Sequence, residues 1–270
     1  MDKAVILARG LGRRMRKADG SARLSAAQSA VADSGLKAMI PIGRPFLDYS
    51  LSALADAGYR RVCLVIGPEH DAVRTYYTTT VRPARIAIDF AIQERPLGTA
   101  DAVASAREFA RDEPFLCINS DNYYPPEALA ALREVRSGMA LAAFERQALI
   151  AQSNIPADRV AQFAVVRSGP EGLLERIIEK PSPAELAAMG EPVRVSMNCW
   201  RLGPAIFEAC LAIGLSPRGE LELPDAVQYA VARMGERFAV LPFRQAVLDL
   251  SGRQDISAVA SRLSGVNVSL

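Results

Sequence analysis

The chain has 270 residues, 50% of them hydrophobic, which is enough for a full core in one large domain or two small ones. Its formal net charge is +2, from 32 basic and 30 acidic residues, so the overall balance gives no reason to expect a nucleic acid or an anionic membrane as partner. The cysteines form no C-x-x-C pair and the only histidine is His70, which argues against a zinc site of the usual kind.

The first apolar run, Lys3-Ala4-Val5-Ile6-Leu7-Ala8, is too short for a signal peptide or a membrane span. No later stretch reaches a spanning length without charges, so a soluble, cytoplasmic protein is expected. Strand-like runs at 3–8, 61–66, 85–92, 115–119 and 139–144 alternate with helical patterns at 45–57, 71–78, 98–110 and 126–136. In 45–57, Phe46, Tyr49, Leu51, Leu54 and Ala57 recur at helical spacing. The alternation predicts βαβ units with right-handed crossovers and a mostly parallel sheet covered on both faces.

The second half is less regular. Strands are expected at 160–167, 173–179 and 193–201, helices at 183–189, 204–212, 223–235 and 254–263, and a final strand pair at 237–243 and 246–250. No linker, low-complexity stretch or repeat divides the chain, and no hexapeptide period follows the core. Cys63, Cys117 and Cys199 fall within apolar runs and read as buried, reduced thiols. His70, in Pro68-Glu69-His70-Asp71, reads as a surface residue at a helix start. Residues 17–36 carry few bulky apolar side chains. A short helix over Ala22–Ala32 fits them, and so long an insertion reads as a mobile flap over the site.

The chemistry-bearing stretches follow strand ends. Ala8-Arg9-Gly10-Leu11-Gly12-Arg13-Arg14-Met15 comes directly after the first strand, where ligands bind in an open parallel sheet. Glycines there let backbone N–H groups close on a phosphate chain. Arg9, Arg13, Arg14, Arg16 and Lys17 crowd the loop, either as a solvated basic face or, as the position favours, as phosphate ligands. There is no G-x-x-x-x-G-K-[ST], and Met15 occupies the third glycine position of G-x-G-x-x-G, so neither common phosphate loop is present. Lys37, in Gly35-Leu36-Lys37-Ala38, is a second cation returning to the same end of the sheet. Gln93, with donor and acceptor on one amide, suits the edge of a base, and Gly98 would let the backbone approach the ring; the plain alternative is a strand–loop–helix joint capped by Gly98 and Thr99. Asp121 ends an apolar strand, placed for Mg²⁺, and Asp249, set between apolar neighbours, is the partner carboxylate that such an ion would compensate. Glu179 and Lys180 end another strand before Pro181, where they suit a sugar hydroxyl and a sugar phosphate, or form a plain surface ion pair.

Together these stretches resemble the sugar-1-phosphate nucleotidyltransferases, the pyrophosphorylase superfamily. The match runs from residue 3 to about 255: G-x-G-x-R-M at 10–15, K-A-M-I-P-I at 37–42, Q-x-x-x-x-G-T-A at 93–100, S-D-N at 120–122, E-K-P at 179–181, E-L-P-D at 222–225 and L-D-L-S at 248–251. The resemblance implies a Rossmann-like three-layer α/β/α fold with a smaller sugar-binding subregion. It makes 1–270 a single domain, with a nucleotide-binding half to about 135 and a sugar-binding half from about 136 that holds the second metal carboxylate. It implies Arg14 and Lys37 as catalytic residues and Asp121 and Asp249 as ligands of Mg²⁺. Ala8, Gly10, Gly12, Arg13, Gln93, Gly98 and Thr99 would hold the NTP, and Glu179, Lys180 and Asn198 the sugar phosphate.

The implied activity is transfer of a nucleotidyl group from an NTP to a sugar 1-phosphate, releasing pyrophosphate. The implied assembly is a homodimer or homotetramer. Two alternatives stand beside it: a cytidylyltransferase acting on a non-sugar phosphate such as phosphocholine, and a catalytically silent, nucleotide-sugar-sensing regulatory relative. The chain departs from the family pattern at Arg9, Arg13, Ala164, Ser196-Met197-Asn198 and Ser251, and in the long insertion at 17–36. The catalytic positions are kept and the sugar pocket is altered. That leaves the base open and allows an unusual sugar or a cyclitol phosphate as acceptor.

Overall fold

Lys3–Leu7 is buried along its whole length and lies inside the sheet, with a strand on each side. The structure is a computed structural model that describes residues 1–20 and 22–270. Its strands are β1 (Lys3–Leu7), β2 (Arg61–Ile66), β3 (Ala87–Ile92), β4 (Phe115–Asn119), β5 (Asn122–Tyr123), β6 (Met139–Glu145), β7 (Val165–Ser168), β8 (Leu174–Ile178), β9 (Arg194–Leu202), β10 (Phe238–Phe243) and β11 (Leu248–Asp249). The main sheet runs β10-β6-β9-β4-β1-β2-β3, with β7 added to β9 and β8 to β7. Along that path only β9 is reversed; β10 with β6, and β4, β1, β2 and β3 with one another, pair in parallel.

Alternate residues of β1 serve two layers, as strand periodicity requires. Ala4 and Ile6 pack with Leu47, Leu51 and Leu129 from helices Phe46–Asp56 and Pro126–Glu134. Val5 and Leu7 pack on the opposite face with Val103, Phe207 and Val227 from helices Thr99–Ser105, Ala205–Ala212 and Leu223–Met234. Burying each such aliphatic side chain contributes about 1.5–3 kcal/mol, so the two faces together fix β1. The chain leaves β1 for β2 and β3 on one side and returns to β4 on the other. That reversal opens a crevice at the carboxyl ends of β1 and β4. Strands from both halves of the sequence share the one sheet, since β9 pairs directly with β4. The α/β/α layering and mostly parallel sheet agree with the sequence reading.

Several elements differ. Run 160–167 is divided: Pro156 starts a helix over Ala157–Val160, and the strand begins only at Val165. Helix 98–110 breaks at Ala106. Runs 237–243 and 246–250 do not pair with each other: β10 lies against β6 at the sheet edge, whereas β11 leaves the sheet to pair with β5. All four cysteines are free and buried, and burial raises their thiol pKa values. Among the described residues, no helix is long and apolar enough to cross a membrane.

The expected flap at 17–36 is, in the described residues, a docked element; Ser21 within it lies outside them. Helix Ala26–Ser34 opens with a reciprocal Ser25–Gln28 capping box and closes at Gly35 in the left-handed conformation. Ala32 is fully buried in a third apolar cluster with Met15, Ile40, Phe46, Leu250 and Ile256. Arg16 Nη2 donates to Ser34 O at 2.7 Å, and Arg253 pairs with Asp33. Small side chains, which suggested looseness in the sequence, here allow close approach to the glycine loop. At Gly12, with φ 59°, a Cβ would lie 2.3 Å from Gly35 O. Gly12→Ala is therefore expected to lower stability by roughly 1–3 kcal/mol. Urea unfolding tests this, and an unchanged midpoint would contradict the contact.

Candidate functional site

The crevice at the ends of β1 and β4 is a cavity of about 410 Å³. Ala8, Gly10, Gly12 and Arg13 line one side; Gln93, Gly98 and Thr99 line another. Arg14, Lys37 and Asp121 also line it, whereas Asp249 stands outside the lining. A Cβ added at Gly10 would meet nothing within 4 Å, so this loop leaves room for a ligand beside its backbone.

The cations around the loop divide by role. Arg13 and Arg14 are exposed, and among the described residues neither side chain has an ion pair or a hydrogen bond. Arg9 is not part of the same exposed cluster. It is buried, donates from Nε to Gln93 O at 2.9 Å, and places Nη1 2.8 Å from Glu69 Oε1. It fastens β1 to the end of β3. His70, expected at the surface, is buried beside it: Nδ1 accepts from Gly67 N at 3.3 Å, and burial lowers its pKa.

Gln93 and its loop are tightly held. Gln93 Nε2 donates to Asp101 Oδ2 at 2.7 Å and to Gly98 O at 3.0 Å. Gly98 has φ 123°, and a Cβ there would lie 2.3 Å from Leu221 O, so glycine is demanded by the packed 220–223 segment. Leu221 N donates to Leu97 O at 2.7 Å and Leu223 N to Thr99 Oγ1 at 2.8 Å. Thr99 thus uses its hydroxyl as an acceptor at the start of helix Leu223–Met234, while still lining the cavity.

The two aspartates meet through a short ladder. In the antiparallel β5–β11 pair, Asn122 faces Asp249, and Leu250 N donates to Asp121 O at 2.8 Å. Lys37 Nζ lies 2.6 Å from Asp121 Oδ2. Asp249 is buried; its Oδ1 accepts from Asn122 Nδ2 and Ser251 Oγ, each at 3.1 Å. Its Oδ2 has no hydrogen bond, although Arg159 Nη2 stands 3.1 Å away at ion-pair distance. Burial, then the nearby Asp121 charge, hold the Asp249 carboxyl above the usual carboxylate range, against the opposing pull of Arg159. Arg159 also binds Asp255 through both terminal nitrogens, at 3.1 Å each, and Asp255 Oδ2 accepts from Ser251 N and Gly252 N.

The residues expected on the acceptor side lie outside the cavity lining. Leu141 faces Trp200 and Ala143 faces Ser196, so Met197, Asn198 and Cys199 of β9 bulge opposite Ala142 alone. Asn198 takes φ 55° there, a conformation asparagine tolerates better than most residues. Tyr124 OH donates to Met197 O at 2.7 Å, tying the bulge to the residue that follows β5. Glu179 and Lys180 follow β8. Burial first, then Glu222 and Asp225, raise the Glu179 pKa, and Arg218 works against them while paired with Glu222. Sequence reasoning missed Asn122 as a side-chain ligand, Asn154 and Arg159. Asn122 sits inside the S-D-N motif; Arg159 is 90 residues from Asp249 and offers no local pattern.

The nucleotidyl transferase family model matches residues 3–250. The chain belongs to the nucleotidyl transferase family. Among curated family relatives, a glucose-1-phosphate thymidylyltransferase of Streptomyces griseus is 28% identical over 232 residues, 85% of this chain and 57% of that protein. The chain therefore spans little more than half of that relative. A UTP–glucose-1-phosphate uridylyltransferase of Haloferax volcanii is 25% identical over 97% of this chain and 96% of its own length. The fold matches a UDP-glucose pyrophosphorylase solved with UDP-glucose at TM-score 0.75 and 18% identity, covering 99% of this chain and 100% of that one. It also matches an inositol-1-phosphate CTP transferase from T. maritima at TM-score 0.72 and 18% identity, covering 100% and 98%.

Within this nucleotidyl transferase, Arg159 is the cation between two buried acids. Removing one partner from a buried pair leaves the other uncompensated. Arg159→Met should cost about 3–5 kcal/mol in urea unfolding. A loss under ~1 kcal/mol, the range of an exposed pair, would show that Arg159 carries no such load.

Proposed function

We propose that the protein transfers a nucleotidyl group from an NTP to a sugar 1-phosphate or a sugar-like cyclitol phosphate, with Mg²⁺, giving the nucleotide-linked product and pyrophosphate. The observation that carries this reading is the approach of Asp249 to Asp121 beside a cavity edged by the exposed Arg13 and Arg14. The names of the curated relatives support the reaction class, and the inositol-1-phosphate enzyme among the fold relatives supports the cyclitol option.

Asp121 and Asp249 suit a hard cation. Mg²⁺ takes one or two carboxylates and completes its shell with phosphate oxygens and water. Asp249 Oδ2, buried with no hydrogen bond, is the kind of atom that such an ion satisfies. Bound there, Mg²⁺ would neutralise phosphate charge and help align the reacting groups.

The acceptor phosphate oxygen attacks the NTP α-phosphorus in line, and pyrophosphate leaves with the bonding electrons. The nucleophile is already ionised near neutral pH, so no general base is required. The chain's own work is alignment and charge compensation. Backbone N–H groups of residues 10–12 cradle the phosphates. Arg13 and Arg14 take up charge on the departing pyrophosphate, and Lys37, held at Asp121, stands at the same end of the sheet. Gln93, Gly98 and Thr99 receive the base end. Glu179 and Asn198 accept or donate to acceptor hydroxyls, and Lys180 meets the acceptor phosphate. The same reading makes the protein a cytoplasmic homodimer or homotetramer, an assembly that sedimentation measures.

Pyrophosphate release across five NTPs, each with sugar 1-phosphates, inositol 1-phosphate and phosphocholine, tests this function. Turnover with at least one sugar or cyclitol phosphate is expected; none with any pair would favour a regulatory protein. Asp121→Asn and Asp249→Asn should each lower Mg²⁺-dependent turnover at least about 100-fold with the fold retained, the scale on which catalytic electrostatic groups act. Near-normal turnover in either variant would remove that residue from the metal role.

A further inference from the structure

Gln93 is buried, lines the nucleotide cavity, and is fixed from every side. Its backbone N–H donates to Ile66 O at 2.9 Å and its carbonyl accepts from Arg9 Nε at 2.9 Å. Its side-chain nitrogen faces two acceptors, the Asp101 carboxylate at 2.7 Å and Gly98 O at 3.0 Å. Neither neighbour offers a hydrogen, so only the –NH₂ end of the amide fits there, and the amide cannot flip without facing oxygen to oxygen. Both Nε2 hydrogens are engaged. Oε1 is the part of the amide left for a ligand.

Asp101 stands in the first turn of helix Thr99–Ser105 and does not line the cavity. It acts only through Gln93. We infer that Asp101 is a positioning residue that sets base specificity: it locks Gln93 as an acceptor, so the preferred NTP is one whose base presents an N–H at that point. This rests on the nucleotidyl-transfer reading for its substrate, and it narrows that substrate. A freely turning amide reads donor and acceptor edges alike. A locked one penalises any base whose acceptor atom faces Oε1, because two acceptors are then brought together without a hydrogen between them.

The test is equilibrium binding of ATP, CTP, GTP, UTP and dTTP to the unaltered protein and to Asp101→Ala and Asp101→Asn, by calorimetry, with kcat/KM alongside. In Asp101→Ala one of the two acceptors that oppose the flipped amide is gone and Gly98 O alone remains, so the affinity ratio between the best and next-best NTP should fall by about three- to tenfold. Asp101→Asn can turn –NH₂ as well as oxygen toward Gln93, so it should lower the ratio in the same direction although it is nearly isosteric, an effect that a merely structural role would not show. An unchanged ratio in Asp101→Ala overturns the inference even where turnover is normal. Binding without turnover would sink the catalytic reading and leave this comparison intact, and no binding of any NTP would sink both. A second measurement needs no variant. In ¹⁵N-labelled protein the Gln93 side-chain amide protons should exchange more slowly than those of the other glutamines, and rapid exchange would likewise overturn the lock.

Discussion

A ladder of two residues, Asn122 opposite Asp249 and Tyr123 opposite Leu248, decides where the second carboxylate stands. A pair of such short strands is marginal by itself. Here its surroundings complete it. Asn154 imitates a further strand, accepting from Asp249 N at 2.9 Å and donating to Asp249 O at 2.7 Å. Leu248 and Leu250 are anchored in the apolar cluster that also holds Met15, Ile40 and Phe46. The end of the chain is thereby fastened to the helix that follows the glycine loop, and a further link comes from Arg253 Nε to Met15 O at 2.8 Å. The glycine loop and both aspartates are placed by one body of packing.

That placement has an electrostatic cost. Two carboxylates near one another, one of them buried, repel and resist ionisation. Lys37 offsets Asp121 from the cavity side, and Arg159 offsets Asp249 and Asp255 from the protein side. Asp249 Oδ2 is left without a hydrogen bond, although Asn122 and Ser251 satisfy Oδ1. Protein donors hold one oxygen of Asp249, and the other faces the Arg159 guanidinium at 3.1 Å. The departure Ser251 fits this arrangement, since its hydroxyl is one of those donors.

Legibility in the sequence followed the range of the interaction. The helix at 45–57 and the buried strands were readable because their apolar period repeats over several residues. Most cavity-lining motifs were readable because they sit at strand ends, where fold logic concentrates ligand contacts; Lys37, in the turn after helix Ala26–Ser34, is the exception. Strands β5 and β11 are too short to have a period, so nothing announced that they pair. The reversal of β9 and its bulge at Asn198 depend on neighbours elsewhere in the chain. His70 differs from its reading because polarity suggests exposure, whereas Gly67 N supplies it with a buried partner; Arg9 does line the cavity, and Gln93 O and Glu69 hold it buried there. The alanines at 26–34 suggested a loose flap, yet Ala32 is buried in the apolar cluster and Gly35, which ends the helix, packs against Gly12 of the glycine loop.

The central claim is that the β5–β11 ladder builds a single cation site between two aspartates far apart in the sequence, Asp121 and Asp249. Crystals grown with Mn²⁺ and an NTP, measured at a wavelength where manganese scatters anomalously, test it most directly. One strong anomalous peak touching both Asp121 and Asp249, with phosphate oxygens completing its shell, is the expected result. A peak bound by only one of these carboxylates, or located away from the glycine loop, would contradict the account.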